Sequence, residues 1–246
     1  MTRRRFYAPP SAFAKQTVRL TADEARHLRE VLRLKTGDEV SVFDGVGREF
    51  RCTVFDARRD WAELRIESEI EPAKPESQLQ LTLCVALLKG EKFDLVVQKA
   101  TELGVTKVVP LITRHADIHL RDEADATKRV TRWQRIALEA AKQSGRAFVP
   151  EVSAPVAFAK LLADTSDEVR VMFSERGGGP MSSLTSSQSV TALVGSEGGW
   201  SDEEIEQAAS QDFRIVTLGG RILRAETAAI TVTALLQYLF GDLGRR

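Results

Sequence analysis

Residues 79–88, LQLTLCVALL, are polar only at Gln80 and Thr82. A strand with one face in water alternates apolar and polar positions, so a run this apolar must be covered on both faces. Similar runs recur as VTKVVPLIT, EVRVMFS, SVTALVGS and FRIVTLGG. Between or after them lie the amphipathic stretches EKFDLVVQKATELG, KRVTRWQRIALEAAKQSG and SDEEIEQAASQ, and AETAAITVTALLQYLF closes the series. Strands alternating with helices specify an α/β domain with a mostly parallel sheet. Pattern alone would draw it as an ordinary doubly wound sheet, because knotted chains are very rare.

The first seventy or so residues follow another rhythm. EVSVFD, EFRCTVFDA and WAELRIESEI read as half-buried strands, with DGVG a turn between the first two. Before them TADEARHLREVLRLKTGD predicts one amphipathic helix, capped by Thr21 with Glu24 three residues on and ended at Gly37. The segment EPAKPESQ then reads as a linker, so domains are expected at 1–72 and 73–246. GGGPMSSLTSSQ reads as a flexible surface loop. Cys52 and Cys84 sit in strand-like apolar runs and are expected as buried free thiols. No stretch approaches the roughly 20 apolar residues of a membrane helix, and the arginines of MTRRRFYAPP precede no apolar h-region, so secretion is not expected. Lys+Arg and Asp+Glu both number 35, so a nucleic-acid partner must be met by a local patch.

Two glycine pairs open onto helices, in GSEGGWSDEE and LGGRILRAETA. Neither has Walker or G-x-G-x-x-G spacing, and Glu197 would repel a phosphate. Ligands of parallel sheets bind beyond the carboxyl ends of strands, where Gly195 and Gly219 both fall. Two such loops at neighbouring strand ends, each with a buried-looking acid (Glu197, Glu226), would face one crevice. Glu226 and Thr227 also suit the start of the last helix; that account leaves unexplained why Arg221 and Arg224 flank Ile222 and Leu223. His115, Asp117 and His119 in RHADIHL are too few for a zinc site, so no metal is expected. Ser196 is not in G-x-S-x-G order, which argues against a hydrolase.

LVGSEGGWSDEE followed by LGGRILRAETAAI resembles the last two motifs of SPOUT methyltransferases, and more narrowly the family that methylates N3 of a uridine in 16S ribosomal RNA. RRFYAP, HLREVLRLKTGDEV, LLKGEKFDLVVQKATELGVTKVVPLIT and RWQRIALEAAKQSGRAFVP extend the resemblance along the chain in family order. Ser196 stands where the family often has proline.

The resemblance implies an α/β fold of the SPOUT type, an α/β knot (deep trefoil knot) with a small N-terminal PUA-like β-barrel domain. It implies a cytoplasmic homodimer acting on 16S ribosomal RNA within the small ribosomal subunit. S-adenosyl-L-methionine is expected against Phe173, Val194, Gly195, Glu197, Gly198, Gly199, Leu218, Gly219, Ile222, Leu223, Thr227 and Ala228. Arg3, Arg4, Arg5 and Phe6 put basic charge beside an aromatic ring, a pattern suited to RNA. His27, Arg29 and Arg33 extend that surface, although a solvated helix face explains them as well. Lys89, Lys92 and Lys99 follow the first buried strand, and Gln143 and Arg146 match the QSGR segment; these five are also expected near RNA.

Arginine stays charged at neutral pH, so Arg224 is expected to orient the uracil and stabilise negative charge on its carbonyl oxygens. Glu226 either accepts the N3 proton or orients Arg224 or Arg221. A ribose 2′-O-methyltransferase, a non-catalytic RNA-binding module and, more distantly, a dinucleotide oxidoreductase are the rival readings.

Overall fold

The computed structural model describes residues 4–116, 118 and 120–244. The chain divides into two compact units, Met1–Glu76 with Ala141–Val149, and Ser77–Ala140 with Pro150–Arg246. The expected boundary at residue 72 lies inside the first unit. The return of 141–149 to that unit has no counterpart in the sequence pattern.

In the first unit, strands β1 (Arg5–Tyr7), β2 (Thr17–Leu20), β3 (Glu39–Phe43), β4 (Glu49–Ala57) and β5 (Ala62–Ile70) form one sheet. Their order is β1-β3-β4-β5-β2, with β1 and β3 parallel and the other pairs antiparallel. Alternation sends Phe50, Cys52 and Val54 of β4 into a core shared with Phe6, Leu20, Leu28 and Leu64. The helix is shorter than expected. α1 (Ala22–Arg26) runs into one wider π turn at His27–Val31, and Arg33, at φ +54°, reverses the chain. That reversal brings Leu34 into the core and bonds its N–H to the Leu28 carbonyl. Thr21 holds the N-cap position without a side-chain cap bond, and Gly37, at φ +92°, lies in the turn before β3.

The expected basic, aromatic terminus is largely structural. Phe6 is fully buried and cannot stack on a base. The Arg5 side chain is 7% exposed, with Nε 3.2 Å from Glu49 Oε1. Its Nη2 donates to the Arg146 carbonyl at 2.8 Å, and its guanidinium lies 4.0 Å from the Phe43 ring centre. Glu49, wholly buried, also accepts the Ala73 N–H. Arg146 is buried too, its guanidinium on Glu76 at 2.8 Å, so it offers no free charge to RNA.

In the second unit, β6 (Gln80–Ala86), β7 (Lys107–Ile112), β8 (Glu151–Val152), β10 (Val169–Phe173), β11 (Ser189–Val194) and β12 (Arg214–Val216) form a parallel sheet in the order β12-β10-β11-β6-β7-β8. β9 (Val156–Ala157) also pairs with β7. The helices are α2 (Lys92–Glu102), α3 (Glu123–Ser144), α4 (Phe158–Asp164), α5 (Asp202–Ser210) and α6 (Ala225–Leu239). Ser201 and Glu204 form a complete capping box at α5. β11 and β12 are not neighbours as expected, since β10 pairs with both. α4 was not foreseen, its seven residues being too few to show a helical period. No helix among the described residues is long and apolar enough to cross a membrane.

Cys52 and Cys84 are free and buried. Burial, with Glu67 adding to it, pushes the Cys52 thiol up to about 12. Burial, with Asp167 adding to it, raises Cys84 as well.

Replacing Arg5 by methionine strands the buried Glu49 carboxylate. Breaking such a pair by removing one partner costs about 3–5 kcal/mol. Urea unfolding of Arg5→Met should therefore show a loss on that scale, and a loss below about 1 kcal/mol would show that the pair is not buried in solution.

Candidate active site

The carboxyl ends of β10, β11 and β12 share one cavity of about 230 Å³. Phe173, Ser174 and Glu175 follow from β10, residues 194–200 from β11, and Leu218, Arg221, Ile222 and Leu223 from the segment after β12. Ala225 and Ala228, one turn apart on α6, complete the wall.

Trp200 fixes the loop after β11. It is 1% exposed, and its indole N–H donates to the Phe173 carbonyl at 2.9 Å. The glycines are needed chiefly because protein groups crowd them. A Cβ on Gly195 would sit 3.2 Å from the Trp200 ring, and one on Gly198 would sit 2.8 Å from His115 Cβ. Gly199 has φ +67°, and a Cβ there would lie 2.9 Å from Glu175 Oε1. Ser196 donates to the His115 carbonyl at 2.9 Å, an anchor that a proline could not supply. From the other side Arg176 donates to the Trp200 carbonyl and the Asp202 carboxylate, both at 2.8 Å, while its other arm holds Glu175.

Of the residues expected against the cofactor, Phe173, Val194, Gly195, Glu197, Gly198, Gly199, Leu218, Ile222, Leu223 and Ala228 line the cavity. Gly219 and Thr227 do not. Gly219 has φ +59° with open space where a Cβ would stand, so it serves the turn rather than a close approach. Thr227 is exposed and caps nothing; the N-cap of α6 is Arg224, without a side-chain cap bond. Ser174, Glu175, Ser196, Trp200, Arg221 and Ala225 line the wall without having been assigned to it from sequence. Glu175 could have been found from its place just past a strand end.

The two acids differ from expectation and from each other. Glu197 is exposed and pairs with Lys92 Nζ at 2.5 Å. That hydrogen bond holds the Lys92 ammonium above the usual lysine range, with Glu197 and Glu226 charge adding to it while burial and Arg224 oppose. Glu226 is partly buried, and its Oε2 is shielded from water without a hydrogen-bond partner. Arg224 is exposed and stands outside the cavity wall.

The residues expected near RNA fall in both units. In the first, Arg4 is exposed and pairs with Asp38, His27 is exposed and edge-on to Phe6, and Gln143 is exposed. Arg29 and Arg33 line a shallow groove with Lys35 and Thr36. In the second, Lys89 is exposed, Lys92 is bound to Glu197, and Lys99 pairs with Glu102. Arg3, Asp117 and His119 lie outside the described residues. His115 Nδ1 is 3.2 Å from the Gly198 carbonyl, and the described residues hold no metal-binding group of three or more.

Residues 75–237 match the family model of the RNA methyltransferase domain, and residues 20–67 that of the RNA methyltransferase PUA domain. The chain belongs to this RNA methyltransferase family. Among relatives, the ribosomal RNA small subunit methyltransferase E of Synechocystis sp. is 34% identical over 96% of this chain and 77% of its own. That of Bacillus subtilis is 31% identical over 90% of each chain. The crystal structure of a ribosomal RNA small subunit methyltransferase E from Neisseria gonorrhoeae, bound to S-adenosyl methionine, superposes with a TM-score of 0.88 at 34% identity. The match covers 98% of this chain and 99% of that one. In this RNA methyltransferase the mixed α/β unit and the unit matched by the PUA model are thus both accounted for.

Gly198 and Gly219 should respond to alanine for different reasons. Gly219→Ala carries only the left-handed strain of about 1–2 kcal/mol. Gly198→Ala has no such strain, but its Cβ would stand 2.8 Å from His115 Cβ and 3.2 Å from the His115 carbonyl oxygen, and overpacking of that kind costs about 1–3 kcal/mol. A parental urea midpoint for Gly198→Ala would refute the packing role assigned to Gly198.

Proposed function

We propose that this chain transfers a methyl group from S-adenosyl-L-methionine to N3 of a uridine in 16S ribosomal RNA. The carrying observation is that both glycine loops and the first turn of α6 converge on one cavity. Relatives named ribosomal RNA small subunit methyltransferase E, one of them bound to S-adenosyl methionine, support the reading.

The residues present fit the cofactor. Leu218, Leu223 and Phe173 offer apolar surface, and Ile222, 89% exposed at the rim, is an apolar side chain left uncovered. Glu175 and Glu197 place carboxylates beside that surface, complementary to a ligand carrying sulfonium and ammonium charge. Main-chain groups of 195–199, and the first N–H groups of α6 that have no intrahelical acceptor, can meet its polar atoms. When bound, the cofactor supplies an electrophilic methyl group. The chain's part is then to hold both reactants in register and to manage the N3 proton. Arg224, charged and exposed at the entrance of α6, orients the uracil and offsets negative charge on its carbonyl oxygens. Glu226 stands two residues on as the proton acceptor.

In this reading residues 1–76 with 141–149 form a PUA-like RNA-binding barrel, and 77–140 with 150–246 carry out the transfer. Arg4, His27, Arg29, Arg33 and Gln143 are its surface residues for RNA, and Lys89 serves RNA from the transferase unit. The segments around β11 and β12 form a deep trefoil knot, two copies associate with their knots facing, and the substrate is the RNA of the small ribosomal subunit in the cytoplasm.

Nucleoside mass spectrometry of small-subunit RNA treated with the enzyme and cofactor should reveal 3-methyluridine; 2′-O-methyluridine alone would overturn the assignment. Arg224→Ala should leave cofactor affinity within a few-fold and slow single-turnover transfer by roughly a hundredfold. Arg224→Lys should recover little, since an ammonium lacks the planar fork of donors. Near-parental turnover in both variants would remove Arg224 from the chemistry.

A further inference from the structure

A second recess lies along α2 and the first turn of α6, lined among others by Lys92, Asp94, Leu95, Gln98 and Glu226. The Lys92–Glu197 ion pair links its wall to that of the cofactor cavity. One turn of α6 serves both: Ala225 and Ala228 face the cavity, whereas Glu226 faces the recess.

The polar groups of the recess are unequally committed. Asp94 already accepts from the Trp133 indole and from Arg132. Glu226 Oε2 is withdrawn from water with no donor, a costly arrangement for an oxygen that nothing is meant to meet. Lys92 has three N–H donors, one of which is placed on Glu197. The pairing edge of uracil presents one N–H donor between two carbonyl acceptors. A carboxylate beside an ammonium matches two adjacent positions of that edge. On cytosine the same carboxylate would face the N3 lone pair and be repelled.

We infer that this recess is the acceptor-base site, where Lys92 donates to a uracil carbonyl oxygen and Glu226 accepts the N3–H. The assignment rests on the proposed uridine-N3 reaction and adds the place and the second cation. As the N3–H bond breaks, its proton goes to the Glu226 carboxylate and its electron pair stays on N3. The negative charge then spreads to the carbonyl oxygens, where the Lys92 ammonium offsets it. Lys92 is thus a catalytic residue as well as the partner of Glu197.

The test uses the full chain, S-adenosylmethionine and a small-subunit RNA carrying either uridine or 5-fluorouridine at the methylated position. Fluorine makes N3–H more acidic and so lessens the need for the ammonium. Lys92→Met should slow single-turnover transfer at saturating cofactor roughly a hundredfold, as for the loss of one preorganised donor. The same loss should persist in a Glu197→Gln background, the 5-fluorouridine RNA should recover at least tenfold, and Lys92→Arg should retain part of the rate. A parental rate in Lys92→Met overturns the inference. So does a loss that vanishes in the Glu197→Gln background, that 5-fluorouridine leaves unchanged, or that accompanies dissociation into smaller species on a sizing column. If the parental chain forms no 3-methyluridine on either RNA, the underlying reaction fails first, and this assignment with it.

Discussion

The hydrogen bond from the Trp200 indole to the Phe173 carbonyl ties the ends of two adjacent strands together. Trp200 is among the largest fully buried side chains of the chain, and it also packs against Phe158 of α4. A Cβ at 195 would stand 3.2 Å from that ring, tighter than an ordinary packing contact, and the loop folds back over it. Ser196 and Gly198 then meet His115, Gly199 meets Glu175, and Ser201 begins α5. The cavity is the space left once that loop is pinned from both sides.

This origin changes the meaning of the glycines. Two glycine pairs at strand ends suggest backbone freedom near a ligand. In the folded chain three glycines after β11 are crowded by indole, imidazole and carboxylate groups, and Gly219 is required by its left-handed backbone alone. Glu197 projects from the fixed loop toward α2 and meets Lys92, a residue of the recess wall.

Much of this was legible in the sequence. Apolar runs marked β6, β7, β10 and β11, and the amphipathic stretch SDEEIEQAASQ marked α5, because strand burial and helical period are local in sequence. The strand order was not legible: that β10 lies between β11 and β12 depends on pairing among distant segments. Charge also misled where burial decided the outcome. Arg5 and Arg146 resemble surface residues in a basic terminus and a QSGR motif, yet each is sequestered by an acid far away in sequence, Glu49 and Glu76. Glu175 differs: its place two residues beyond the end of β10 was a usable signal, since ligands of parallel sheets bind there.

The discontinuity of the first unit sets an order of events during synthesis. The Arg5 guanidinium bonds a carbonyl 141 residues away, and Gly45 and Gly47 bond the main chain of 147–149. Contacts so distant in sequence close late, and none of these can form until at least residue 146 has left the ribosome. By then β6, α2, β7 and α3 of the second unit have already been made. The amino-terminal sheet is therefore first in the chain yet completed only after the first elements of the second unit have been made, and a fragment ending at the apparent linker would lack the strap that finishes it.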